Sequence, residues 1–177
     1  MEANHNCGSF LRESVFVQGK EVIGLSECAR ILVVDDDESI RKTLAEILRA
    51  EGYRVDTAEN GRDAIAKADA AVYNLALIDI QLPDMKGTEL LTKMRDTIPK
   101  MRKVIITGHP SMQNAVEALN WEANAYLSKP FDVEKALQTV REQLTKQQQE
   151  KAYSENKVVG FIEARVRELD AKKIAEN

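Results

Sequence analysis

Polar side chains follow four short apolar runs of this sequence, each at the point where the run stops. Asp35 and Asp36 come directly after "RILVV", and Asp79 closes "NLALID". Thr107 closes "KVIIT", and Lys129 follows "AYLS". Three carboxylates that lie close together favour a hard divalent cation such as Mg²⁺, and a lysine that faces them can pair first with a carboxylate and later with a phosphoryl oxygen. Whether these groups act together depends on the fold that positions them.

Strand-like apolar runs alternate with amphipathic helix-like stretches between residues 30 and 145, in five successive units. This alternation predicts an α/β fold with a five-stranded parallel sheet, doubly wound, with helices on both faces. Because sites in such sheets form outside the carboxyl ends of the strands, the five polar groups should meet at one edge. The neighbouring Asp37 is not one of these five groups, since its position before "ESIRKTL" predicts the N-cap of the first helix. The predicted strands are "RILVV", "YRVDTA", "NLALID", "KVIIT" and "AYLS", and the predicted helices are "SIRKTLAEILRAEG", "GRDAIAKADAA", "GTELLTKMRDT", "SMQNAVEALNWE" and "VEKALQTVREQL".

The chemistry of this edge is limited by the motifs that the sequence lacks. It contains no glycine-rich phosphate loop, no dinucleotide fingerprint and no Ser-His-Asp arrangement. A phosphate at the edge would therefore not belong to a bound nucleotide. The remaining option is that a carboxylate itself accepts a phosphoryl group.

Four stretches resemble the signature blocks of the response-regulator receiver domain, the CheY-like family. They are "ILVVDDDESIRKTL", "LALIDIQLPDMKGTELL", "VIITGH" and "AYLSKPF", and the match spans residues 30 to about 145. The resemblance implies a flavodoxin-like receiver domain that takes a phosphoryl group from a sensor histidine kinase or a phosphotransfer protein. On this interpretation the chain is a single-domain response regulator of a two-component phosphorelay.

The resemblance also implies roles for individual residues. Asp79 would be the phosphoacceptor, and Asp35, Asp36, Asp79 and the backbone carbonyl of Gln81 would hold Mg²⁺. Gln81 and His109 occupy the two positions that influence dephosphorylation in this family.

The same four stretches also imply which residues respond to the phosphoryl group. Thr107 resembles the switch hydroxyl, Lys129 the lysine that pairs with the phosphate, and Tyr126 the aromatic side chain that changes rotamer. The peptide bond before Pro130 should be cis, which proline makes accessible.

The two ends of the chain lie outside the resemblance. Residues 1–29 show no sustained period and predict either a small hairpin around Gln18-Gly19 or no stable structure. Residues 146–177 predict an amphipathic helical tail. Its apolar stripe is out of phase with the stripe of the preceding helix, which predicts a break or kink near residues 153–157 and then a separate helix. The tail could fold back on the receiver domain, pair with another copy or become ordered on a partner. The tail stripe comprises Val159, Ile162, Val166 and Leu169, and the preceding stripe comprises Leu137, Val140 and Leu144.

Composition narrows the classes of partner. The formal net charge is −4, and residues 132–177 hold nine basic and nine acidic side chains. A DNA-binding segment would show a basic excess, so no direct DNA binding is expected. No apolar run reaches the roughly 18 residues of a membrane span, and two cysteines in 177 residues suit reduced thiols, so a cytoplasmic protein is expected.

The regulator should therefore signal through contacts with other proteins. The expected surface is the face of the fourth helix, the fifth strand and the fifth helix, together with the tail, and the partner is a downstream protein or a second copy. As a regulator the chain would catalyse only its own phosphorylation and dephosphorylation. Two alternatives stay open, namely a Mg²⁺-dependent phosphohydrolase that works through an aspartyl-phosphate and a receiver-like scaffold that is not phosphorylated. The phosphohydrolase is disfavoured because Gln81 stands where the haloacid-dehalogenase pattern has a second carboxylate.

Overall fold

A computed structural model of the chain describes residues 15–17, 20–22, 29–95, 97, 99–108 and 123–175. His109 and the predicted helix at 111–122 lie outside the described residues, as does the turn at Gln18-Gly19. On either side of that turn, β1 (Val15–Val17) pairs antiparallel with β2 (Lys20–Val22). This pairing is the hairpin that the sequence offered as one of two alternatives.

A five-stranded parallel sheet forms the centre of the fold, and the prediction of a doubly wound sheet is confirmed. Its strand order is β4-β3-β5-β6-β7, so the order reverses between β3 and β5. In register, Ile31 of β3 pairs with Val55 of β4 on one side and with Leu75 of β5 on the other. The strands are β3 (Arg30–Val34), β4 (Arg54–Ala58), β5 (Leu75–Asp79), β6 (Arg102–Thr107) and β7 (Ala125–Ser128).

Four helices are described on the two faces of this sheet. They are α1 (Glu38–Ala50), α2 (Gly61–Ala70), α3 (Gly87–Lys93) and α4 (Val133–Ala175). Helix α3 is shorter than predicted, because Met94 already adopts an extended backbone and Thr97 accepts a hydrogen bond from the N–H of Met101.

Successive residues of the central strand face opposite layers of the core. Ile31 and Val33 pack in the layer that contains α1 and the first turns of α4. Leu32 and Val34 pack in the layer that contains α2 and α3. Burial on both faces explains why the strand sequence is continuously apolar rather than alternating.

Helix α4 is continuous over 43 residues, so the prediction of a separate helix after a break near residues 153–157 is wrong. The stretch 145–159 contains no glycine or proline, and the i,i+4 pair of Lys151 and Glu155 lies across the expected break, with 3.9 Å between Nζ and Oε1. Two stripes that are out of phase can lie on different faces of one helix, and backbone hydrogen bonding continues through the change of face.

The middle of α4 is attached to the amino-terminal edge of the sheet. The side-chain amide of Gln147 donates to the carbonyls of Asn74 and Lys100 at 3.0 and 2.7 Å. Three residues later Glu150 forms an ion pair with Arg102, with 2.6 Å between Oε1 and Nη2. Beyond this attachment, the side chains at 151–162 are exposed. Residues 151–162 therefore do not fold back on the described part of the receiver domain.

Candidate functional site

Three carboxylates meet at the carboxyl edge of the sheet. Asp35 follows β3 and Asp79 ends β5, and these strands are neighbours. Asp35 and Asp79 are 1% and 7% exposed, whereas Asp36 lies at the surface. One ligand atom from each of the three lies within 4.8 Å of the others. An all-oxygen donor set of this kind fits Mg²⁺, which also retains waters on its open side.

Lys129 connects two of these carboxylates. Its ammonium donates to Oδ2 of Asp35 at 2.8 Å and also to Oδ2 of Asp79. The backbone N–H of Lys129 donates to the carbonyl of Thr107 at 2.6 Å, which fixes the loop after β7 against β6. Partial burial alone would lower the pKa of Lys129, but the hydrogen bonds to both aspartates raise it above its ordinary value. A lysine whose charged form is favoured by its two partners therefore faces the acidic cluster.

Burial dominates the electrostatics of Asp35. It raises the pKa of this carboxyl, while Lys129 and the backbone N–H of Asp37 act in the opposite direction. The N–H of Asp37 donates to Oδ1 of Asp35 at 2.9 Å, so both oxygens of the carboxylate have partners. Bringing negative charge into this position is costly without a cation, and Lys129 partly supplies one.

Asp37 has the separate role that its sequence position predicted. Its carboxylate accepts from the backbone N–H groups of Ser39 and Ile40 at 2.8 and 3.2 Å, which caps α1. Asp36 thus belongs to the acidic cluster, whereas the adjacent Asp37 caps α1.

The loop after Asp79 is held in a closed shape. The N–H of Gln81 donates to Oδ1 of Asp79 at 3.0 Å, and Gln81 also forms an antiparallel bridge with Lys86. The N–H of Gly87 donates to the carbonyl of Ile80 at 2.8 Å. A Cβ on Gly87 would lie 2.1 Å from the carbonyl oxygen of Asp79, so only glycine fits here.

Thr107 ends β6 at the same edge, and Tyr126 lies on the neighbouring strand β7, in register with Ile105. Asp79 pairs in register with Ile106, which places the fully buried Thr107 one residue further along at the same edge. Tyr126 on β7 is half-buried, and its hydroxyl is buried with no hydrogen-bond partner in the described part of the chain. The peptide bond between Lys129 and Pro130 is cis, as the resemblance implied.

Two residues that the sequence analysis did not single out also position the site. The guanidinium of Arg41 donates to the carbonyls of Asp35 and Asp36 at 2.6 and 3.3 Å. Asp84 accepts from the N–H groups of Gly61 and Arg62 at 2.8 and 2.9 Å, which ties the loop after Asp79 to the start of α2.

The hydrogen bonds that Asp84 accepts also change the pKa of its carboxyl group. Desolvation alone would raise its pKa, but the two N–H donors lower it below the ordinary range. The "PDMKG" turn was the only available sequence signal for Asp84, and the side chain of Arg41 gave none.

The structure therefore brings together most of the predicted site. Asp35, Asp36, Asp79 and Lys129 form one cluster, and Thr107 lies at the same edge. The side chain of Gln81 is exposed beside them, while His109 is outside the described residues.

Comparisons with known proteins identify the family. The family model for the response regulator receiver domain matches residues 31–141. A crystal structure of a CheY-like response regulator receiver domain protein from Methanospirillum hungatei JF-1 is 43% identical, with a TM-score of 0.67. The match covers 70% of this chain and 99% of that one. The chain belongs to the response regulator receiver domain family, and its fold and acidic edge are those of a regulatory domain of two-component systems.

Curated relatives share the matched region but are longer. The uncharacterized transcriptional regulatory protein YkoG of Bacillus subtilis (strain 168) is 35% identical over 65% of this chain and 50% of its own length. The transcriptional regulatory protein ZraR of Klebsiella oxytoca is 42% identical over 64% of this chain and 26% of its own length. The chain thus spans half or less of the length of these relatives. Among the described residues, no helix has both the length and the apolar character that crossing a bilayer requires.

Proposed function

We propose that Asp79 accepts a phosphoryl group from a phosphohistidine of a sensor histidine kinase or a phosphotransfer protein. The observation that carries this proposal is the bridge from Lys129 to Asp35 and Asp79 within a cluster of three carboxylates. A lysine that links two buried acids offsets part of their negative charge at rest. It is also placed to hold a phosphoryl oxygen once one acid is esterified.

The acidic cluster is proposed to bind Mg²⁺ through Asp35, Asp36, Asp79 and the backbone carbonyl of Gln81. The donor chemistry supports this proposal, since all four groups offer oxygen. When bound, Mg²⁺ would offset the negative charge on the phosphoryl oxygens.

The transfer itself is a displacement at phosphorus. An oxygen of Asp79 forms a bond to phosphorus while the bond from phosphorus to the imidazole nitrogen breaks, and the electron pair of the broken bond stays on that nitrogen. Lys129 keeps its contact with Asp35 and stabilises charge on the phosphoryl group. The N–H of Gln81, now 3.0 Å from Oδ1 of Asp79, helps to fix the nucleophile.

Phosphorylation is proposed to be read by Thr107 and Tyr126. The Thr107 hydroxyl would move to donate to the phosphoryl group, and Tyr126 would turn inward. Among the described residues the buried hydroxyl of Tyr126 has no hydrogen-bond partner, and a rearrangement that gives it one would be favourable. This change would reshape the surface around β7 and the start of α4.

Dephosphorylation is proposed to be self-catalysed and tuned by Gln81 and His109, since an exposed side chain at position 81 can influence access of water to the phosphoryl group. Hydrolysis of external phosphate esters is disfavoured, because membership of a regulatory family accounts for the same carboxylates.

The output partner is proposed to be a protein, either a downstream target or a second copy. The equal numbers of basic and acidic side chains in residues 132–177 support a tail that does not bind DNA. The relatives named as transcriptional regulators extend beyond the matched region, so this prediction concerns only the segment present in the sequence.

The decisive test is phosphoryl labelling of Asp79→Asn. The amide keeps the shape of the side chain but cannot act as the nucleophile, so labelling by acetyl phosphate with Mg²⁺, followed by mass spectrometry, should disappear. Asp69→Asn, which removes an exposed carboxylate from α2, is the control and should label normally. Undiminished aspartyl labelling of Asp79→Asn would reject the proposal.

A further inference from the structure

The last part of α4 presents large apolar side chains to solvent. Val158, Val159, Ile162 and Val166 are each at least half exposed, and Phe161 is 72% exposed. They lie beyond the attachment of the helix to the sheet at Gln147 and Glu150, and the described part of the chain does not cover them. A helix with an uncovered apolar stripe is normally stabilised by packing of that stripe.

The spacing of this stripe is that of a coiled coil. Val159, Ile162, Val166 and Leu169 follow one another at intervals of three, four and three residues. In heptad notation the two valines occupy positions a, and Ile162 and Leu169 occupy positions d. Valine at both a positions with leucine at d favours a two-stranded assembly, and the seam departs from this pattern only at Ile162. Phe161 falls at position c, outside the seam.

Charges beside the stripe specify the direction of the partner helix. The positions g at 165 and 172 are Arg and Lys, whereas the positions e at 163 and 170 are Glu and Asp. In a parallel pair each g position faces the e position five residues further along the other helix, so Arg165 would face Asp170 of the second copy. In an antiparallel pair g faces g and e faces e, which would oppose like charges on both sides.

We propose that residues 158–170 of α4 pair with the same segment of a second copy as a parallel, in-register, two-stranded coiled coil. The proposal concerns the tail alone and does not rest on phosphorylation of Asp79. Because the apolar seam covers only two heptads, the pair should form reversibly in the micromolar range. It would place the two receiver domains side by side at the same end of the coiled coil.

The test is the mass of the full chain by sedimentation equilibrium, in EDTA and without a phosphodonor. The mass should rise from 19.9 kDa toward twice that value with increasing concentration. Ile162→Asp places a charge in the seam and should raise the dissociation constant by roughly a hundredfold or more. The matched control is Phe161→Asp, which removes a larger and more exposed side chain one position away and should leave the dissociation constant within about threefold of the parent value.

Direction is tested by cross-linking. With Cys7 and Cys28 replaced by serine, Val159→Cys and Val166→Cys should each cross-link to the same residue of the second copy with a short thiol reagent. An antiparallel pair allows this at no more than one of the two positions, so failure at either position overturns the parallel register. A monomer at all concentrations, a trimer, or equal effects of the two Asp variants would overturn the coiled coil, whatever the result of the Asp79 labelling.

Discussion

Asp36→Ala should weaken Mg²⁺ binding, whereas Asp37→Ala should lower the free energy of unfolding. Asp37→Ala removes the acceptor of two N–H groups at the start of α1, at 2.8 and 3.2 Å. Loss of an N-cap costs about 1 kcal/mol in the free energy of unfolding, which is roughly 4 °C in the melting temperature of a domain of this size. Asp36→Ala removes no capping bond, so the free energy of unfolding in EDTA should change by less than about 0.5 kcal/mol.

Mg²⁺ affinity should show the opposite pattern. A cation among the three carboxylates lies less than 4.8 Å from the Asp36 oxygen, because that is the largest separation within the cluster. Even in the dielectric of water, a divalent ion and a carboxylate at that distance attract by about 1.7 kcal/mol. Removing Asp36 should therefore weaken Mg²⁺ binding by at least roughly fifteenfold, while Asp37→Ala should change it by less than about threefold.

Titration calorimetry gives the Mg²⁺ affinity, and urea unfolding in EDTA gives the stability. Asp37→Asn is the matched control, because asparagine caps helices as well as aspartate and should preserve the free energy of unfolding. Equal Mg²⁺ affinity of the parent protein and Asp36→Ala would show that the cluster does not hold the ion as inferred. An Asp37→Ala variant with the same free energy of unfolding as the parent protein would refute the role of Asp37 as a helix cap.

Two further changes test the packing around the site and the far edge of the sheet. Gly87→Ala should lower the free energy of unfolding by about 3 kcal/mol, since its Cβ would meet the backbone of Asp79 at 2.1 Å. The control is Gly160→Ala, whose Cβ would have no atom within 4 Å and which should raise the free energy of unfolding or leave it unchanged. Similar urea midpoints for both variants would contradict the clash. Burial, followed by the hydrogen bond to Asp56, raises the pKa of Tyr73 to about 12, so the stability from its neutral phenol is present below pH 10 and is lost as pH rises toward 12. Urea midpoints of Tyr73→Phe should therefore fall less than those of the parent between pH 9 and 11, and parallel curves would exclude this cause.

The position of the site could be predicted because strand order and strand ends follow from local patterns. Asp35 and Asp79 are adjacent in space since each ends a continuously apolar run and parallel strands finish at one edge. The contacts of Arg41 and Asp84 could not be predicted in the same way. Arg41 folds back on carbonyls six residues earlier, and Asp84 reaches a helix that begins 23 residues before it. Such contacts depend on loop conformations, which periodicity does not encode.

The error over α4 has a similar physical origin. A change of phase between two apolar stripes does not by itself end a helix, because a helix needs only continuous backbone hydrogen bonds and residues that tolerate them. The attachment depends on polar contacts with the sheet edge, namely hydrogen bonds from the buried Gln147 and an ion pair of the exposed Glu150. An apolar pattern contains no information about partners of that kind.

The attachment of α4 at the sheet edge also gives the helix the mechanics of a lever. From Glu150 to Ala175 the helix extends about 37 Å, at 1.5 Å per residue. A tilt of about 5° at this fulcrum would displace the far end by about 3 Å, which is comparable to half a helical turn. The near arm begins at Val133, four residues after Lys129. A small angular change of α4 at this pivot would thus be amplified at the distal end in proportion to the length of the distal arm.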